Sequence, residues 1–100
     1  MDLTSFKATL TGTEPPKALG RPLRALWLVA KGGWTVNDNW TEAHELAQKE
    51  ENETGSWVHA HLHRVEGDLS NAGYWYGKAK RTPSKKSLQA EWDEIAATLL

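Results

Sequence analysis

Leu88, Trp92, Ile95 and Leu99 recur at i, i+4, i+7 and i+11. A helix gathers all four on one side, whereas a strand would split them between its two faces. This stripe predicts an amphipathic C-terminal helix over residues 84–100. Outside one histidine segment, no stretch shows the strict alternation of a half-buried strand. The expected fold class is therefore all-α. One hundred residues suit a single domain. With 39% hydrophobic residues and roughly two-thirds of the unfolded surface buried in a domain of this size, the large aromatics must carry much of the core.

Punctuation divides the rest of the chain. Leu3, Phe6 and Leu10 form a short amphipathic piece closed by Thr11-Gly12-Thr13-Glu14-Pro15-Pro16, which makes residues 1–20 a peripheral N-terminal segment. Pro22 opens a helix that is apolar on nearly every side up to Lys31, where Gly32-Gly33 ends it, and this is the expected central buried helix. Asn39 with Glu42 reads as a capping box for a helix from Trp40 to Glu51, with Trp40, Ala43 and Ala47 inward. Ser56 is the expected cap of a helix from Trp57 to Glu66, with Gly67 as its left-handed stop. Asp68 caps a further helix reaching about Arg81. Five or six helices in stacked antiparallel hairpins result, with residues 21–81 as the hairpin core and 84–100 as a packing helix.

Composition excludes several activities. Without cysteine there is no disulfide framework, no thiolate zinc site and no cysteine nucleophile, which suits a reducing compartment. The longest apolar stretch, Leu26 to Ala30, falls far short of the roughly 20 residues that span a bilayer. Met1-Asp2-Leu3-Thr4 lacks the basic start and apolar run of a secretion signal, so a cytoplasmic location is expected. Twelve basic against thirteen acidic residues give a net charge of -1, which supplies no overall field for nucleic acid. Lys78, Lys80, Arg81, Lys85 and Lys86 do form a local basic run beside Tyr74-Trp75-Tyr76, a pattern that could pair phosphates and stack bases. Tyr76 belongs to the core stripe, however, and cations favour a helix C-terminus, so nucleic acid is disfavoured.

Val58-His59-Ala60-His61-Leu62-His63 is the segment that alternates. As a strand it would align three imidazoles, but Ser56 and Gly67 are helix punctuation at helix spacing, and a lone strand leaves its backbone unpaired. As a helix it places Val58, Leu62 and Val65 on the core face with His61 near it, and His59, His63 and Glu66 on the opposite side. Two histidines at i, i+4 can both reach one ion, so His59, His63 and Glu66, completed by His44 or Asp68, form a candidate site for a divalent transition metal such as Zn or Ni. The plain alternative, which needs no cofactor, has these histidines and Arg64 pairing with Glu66, Asp68 and nearby helix ends.

Asp38-Asn39-Trp40-Thr41-Glu42-Ala43 and Gly67-Asp68-Leu69-Ser70-Asn71-Ala72 align as turn, cap, apolar residue and alanine. With Ala60, Tyr76 and Ala79, the second unit resembles a tetratricopeptide (TPR) helical hairpin, in which small residues allow close helix approach. The string Trp57-Val58-His59-Ala60, Leu62-His63-Arg64, Glu66-Gly67-Asp68, Asn71-Ala72 and Tyr74-Trp75-Tyr76 resembles a family of small bacterial helical proteins over about residues 26–81. Leu26-Trp27, Ala30-Lys31-Gly32 and Ala43-His44-Glu45-Leu46-Ala47 precede it there. The resemblance implies an all-helical fold and carries no activity. Stacked hairpins of this kind need a neighbour over their end faces, so a homodimer or a protein partner is expected, with His59, His63, Arg64, Asn71, Tyr74 and Trp75 as its contact surface. A metal-binding enzyme or sensor is the alternative. Of the six tryptophans, Trp27, Trp40, Trp57 and Trp92 are expected in the core, which leaves Trp34 and Trp75 as functional candidates.

Overall fold

Capping side chains divide the chain into six α-helices, with no strand, in a computed structural model that describes residues 1–100. They are α1 (Leu3–Ala8, running into a 3-10 turn at Thr9–Thr11), α2 (Arg21–Lys31), α3 (Asp38–Lys49), α4 (Glu53–Val65), α5 (Leu69–Ala79) and α6 (Leu88–Leu99). Asp2, Asn37, Asn52, Asp68 and Ser87 each accept a hydrogen bond from the backbone N–H three residues on, and each such cap stabilises its helix by about 1 kcal/mol. No helix is long and apolar enough to cross a membrane.

Two caps differ from expectation. α3 is capped by Asn37 rather than Asn39, because the Asn37 side chain both accepts from Trp40 N–H and donates to Gly32 O, closing the turn after α2. α4 begins at Glu53 under an Asn52 cap, and Ser56 lies buried inside the helix. Asn52-Glu53-Thr54-Gly55 therefore starts a helix where a terminator was expected. Gly55 is required by close approach, since a Cβ there would collide with the Glu50 backbone. The final helix starts at Leu88 rather than at residue 84, under its Ser87 cap.

Neighbouring helices run antiparallel. Arg21 at the start of α2 meets the Lys49 carbonyl and the Glu50 carboxylate at the end of α3. Trp40 near the start of α3 donates from Nε1 to Leu62 O near the end of α4, at 2.9 Å. Lys80 just after α5 pairs with Glu53 at the start of α4. α2–α3 and α4–α5 thus form two helical hairpins, and Ala43, Ala47, Ala60, Ala72 and Ala79 on α3, α4 and α5 are buried.

The central helix is α4 rather than the expected α2. Residues Gly55 through His63 are buried without interruption, because α4 packs against α2, α3, α5 and α6 at once. Any polar side chain in that stretch must therefore find a protein partner or a ligand. α6 closes the other side: Trp92 donates from Nε1 to Leu26 O at 2.7 Å, Phe6 stacks on it at 5.6 Å, and Trp34 meets it edge-on. Residues 1–20 thereby supply Phe6 to the core. Trp34, expected as a functional aromatic, packs instead on this cluster.

Candidate metal centre

Three histidines converge where α3 crosses α4. His59 and His63 sit one turn apart on α4, and the antiparallel run of α3 lays His44 opposite them. One imidazole nitrogen from each lies within 4.8 Å of the others. His44 Nε2 and His59 Nε2 are 2.9 Å apart, and the His59 and His63 rings stack at 4.8 Å. His59 is 1% exposed and His63 5% exposed, so two of the three imidazoles are almost out of water, and His44 is half-buried.

Two tryptophans wall the cluster. Trp40 stacks on His44 with ring centroids 4.9 Å apart, and Trp75 stacks on His59 at 3.8 Å. Each indole comes from a different hairpin: Trp40 is pinned by its bond to Leu62 O, and Trp75 is carried by α5. Trp40 was expected as a plain core residue, but it is only half-buried and belongs to this site. Its i, i+4 spacing to His44 is the signal that could have shown it.

Burial holds two of the three imidazoles neutral. Burial, then the charges of His44 and His63, push the His59 imidazole down to about 3. Burial, then His63, holds His44 below the ordinary histidine range. Neutral imidazole is the metal-ligating form. Glu66 accepts from His63 Nδ1–H at 2.5 Å, which fixes that ring's tautomer and leaves Nε2 free. His59 Nδ1 is buried with no hydrogen-bond partner.

His61 belongs elsewhere. Its Nδ1 lies 2.8 Å from the Glu91 carboxylate in the core, where Arg64 Nη1 also reaches Glu91 at 2.8 Å and the Tyr76 hydroxyl donates to the second carboxylate oxygen. Burial alone would raise the Glu91 carboxyl, but hydrogen bonds from His61 and Tyr76, the His61 charge and the Arg64 hydrogen bond together hold it low. Burial and then the Glu91 hydrogen bond push the Tyr76 phenol well up. Arg64 also donates to Lys86 O at 2.6 Å, so the network joins α4, α5, α6 and the loop before α6. Sequence reasoning missed Glu91, which lies three residues after Leu88 and four before Ile95 at the edge of the apolar stripe, the signal that could have found it.

Of the residues expected on a contact surface, Asn71 and Tyr74 are exposed, Trp75 is half-buried, His59 and His63 are buried, and Arg64 is taken up by Glu91. Of the expected metal set, His44, His59 and His63 converge, Glu66 stands behind His63, and Asp68 lies beside Glu66 at the rim. The basic run disperses: Lys78 lies over Tyr74 and Trp75, Lys80 pairs with Glu53, the Arg81 guanidinium lies 3.4 Å from the Trp57 ring centroid, and Lys86 pairs with Glu94. Comparison of the chain with protein-family models, with curated proteins and with solved structures returns no match.

Proposed function

We propose that the protein binds a divalent transition-metal ion through His44, His59 and His63. The observation that carries this reading is the convergence of three imidazoles, two of them buried and one backed by a carboxylate. Zn, Ni and Cu all accept such a donor set. Two nitrogens on a tetrahedral zinc, each about 2.0–2.1 Å from the ion, sit roughly 3.3–3.4 Å apart. The His44–His59 separation of 2.9 Å needs only a small opening to match. Glu66 fills the role of the outer carboxylate that orients a ligating histidine and raises its basicity. An ion held by these three residues would leave room for water or substrate and would supply Lewis-acid chemistry there. The protein's own part is to hold His44 and His59 neutral and to wall the cluster from bulk water with Trp40 and Trp75.

The test is a titration of the chelator-treated full chain with Zn(II). Uptake of a first tight equivalent that is lost in His44→Ala is expected. His44 is the least buried of the three, so this variant keeps its fold by circular dichroism. Failure of the parent chain to take up any stoichiometric metal overturns the reading.

A second reading, a TPR-like interaction module that forms a homodimer or binds a protein partner, draws support from Leu69 and Tyr74, which are 69% and 59% exposed on α5. Sedimentation equilibrium tests it: a dimer dispersed by Tyr74→Ala supports self-association, and a monomer at high concentration opposes it.

A further inference from the structure

The segment His63-Arg64-Val65-Glu66-Gly67-Asp68 closes α4 with a Schellman turn. Asp68 N–H donates to His63 O at 2.9 Å and Gly67 N–H to Arg64 O at 3.0 Å, with Gly67 at φ +82°. The turn folds the Asp68 carboxylate back beside the side chains of His63 and Glu66. One donor atom from each of these three residues lies within 4.8 Å of the others. This second donor set shares His63 with the first. On that ring Nδ1 faces Glu66, and Nε2 is the nitrogen that this bond leaves unused.

Neither carboxylate of the second set is neutralised by a lysine or arginine. Arg64, the nearest cation in the sequence, is turned away to Glu91 at 2.8 Å. Asp68 uses one oxygen to accept from Asn71 N–H, which leaves the other free. Its exposure, and the partial burial of Glu66, put this set at the rim, in contact with solvent.

We infer that His63 bridges two cation sites, and that the protein takes a second divalent transition-metal ion at His63 Nδ1, Glu66 and Asp68. The inference rests on the first ion being held by His44, His59 and His63. Binding of the second ion breaks the Nδ1–H bond, forms an Nδ1–metal bond and releases the proton to solvent, so that the ring becomes a bridging imidazolate. Its negative charge and those of the two carboxylates offset the repulsion between the ions. A mixed nitrogen and oxygen set of this kind suits Cu(II), Ni(II) or Zn(II). The rim ion keeps water ligands and is held more weakly than the first.

Titration of the chelator-treated full chain with Cu(II), followed by elemental analysis and electron paramagnetic resonance, tests this. Two equivalents are expected, with loss of the first equivalent's signal as the second enters, because an imidazolate bridge couples the two spins. Asp68→Asn keeps a side chain able to cap α5 but removes an anionic donor. It should stop at one equivalent whose affinity matches the first site of the parent and whose signal persists. Saturation of the parent at one equivalent, or two equivalents retained in both Asp68→Asn and Glu66→Gln, overturns the second site and leaves the first standing. Uptake of no copper by the parent overturns both.

Discussion

His44 Nε2 and His59 Nε2 face each other across 2.9 Å, and no carboxylate contacts either ring. A hydrogen bond between two imidazoles requires one to donate and the other to accept, so the accepting nitrogen stays unprotonated while it exists. Protonating either ring would place a cation beside the other two histidines.

This arrangement sets a pH dependence. His59 is pushed down to about 3 and His44 is also lowered, against an unfolded value of about 6.5. The unfolded chain therefore binds more protons over this interval, and stability rises with pH across it. The contribution is fully present above about pH 6.5 and is lost as pH falls toward the folded values. Urea midpoints of the metal-free protein should decline over this window. His59→Phe, which keeps a ring stacked on Trp75, should flatten the decline, whereas an unchanged slope would contradict the assignment.

Glu66 orients His63 through the bond to Nδ1. Glu66→Gln should weaken the first metal equivalent by about 10–100-fold, as loss of an outer carboxylate does at other histidine sites. Competition against a chromophoric chelator measures this, and parental affinity in the variant would remove Glu66 from the site.

Glu91 holds His61, Arg64 and Tyr76 together in the core. Glu91→Gln leaves the Arg64 charge without its counter-ion, and breaking a buried pair in this way costs about 3–5 kcal/mol. Tyr76→Phe leaves the ring in place and removes one hydrogen bond to a charged group, a loss of about 1.5–3 kcal/mol. Equilibrium unfolding in urea gives both values, and a smaller effect for Glu91→Gln than for Tyr76→Phe would contradict the network.

Lys80 closes α5 in the left-handed region at φ +59°. Its ion pair with Glu53 is solvent-exposed, so Lys80→Gly forfeits little and relieves backbone strain of about 1–2 kcal/mol. A rise in thermal midpoint is expected, and a fall would show that the ion pair outweighs the strain.

Much of the architecture was legible because local chemistry specified it. The 88/92/95/99 stripe, the Gly67 stop and the Asp68 cap all lie where their residue types predict. The errors came where one polar residue could serve two helices. Asn52 reads equally as an end to α3 or a start to α4, and only the contact of Gly55 with the Glu50 backbone decides it. The histidines separated correctly into His61 on one side and His59 with His63 on the other. The addition of His44 required the register of α3 against α4, which a turn of only a few residues sets and which Trp40, bonded to Leu62 O, records. The partners of Glu91 were illegible because all three come from two other helices.

X-ray absorption of the protein loaded with a single equivalent of Zn(II) tests the central claim most directly. Three imidazole nitrogens at about 2.0–2.1 Å with one light-atom ligand are expected, and the histidine scattering should drop by one ring in His44→Ala. A shell of oxygens without imidazole scattering would contradict the account.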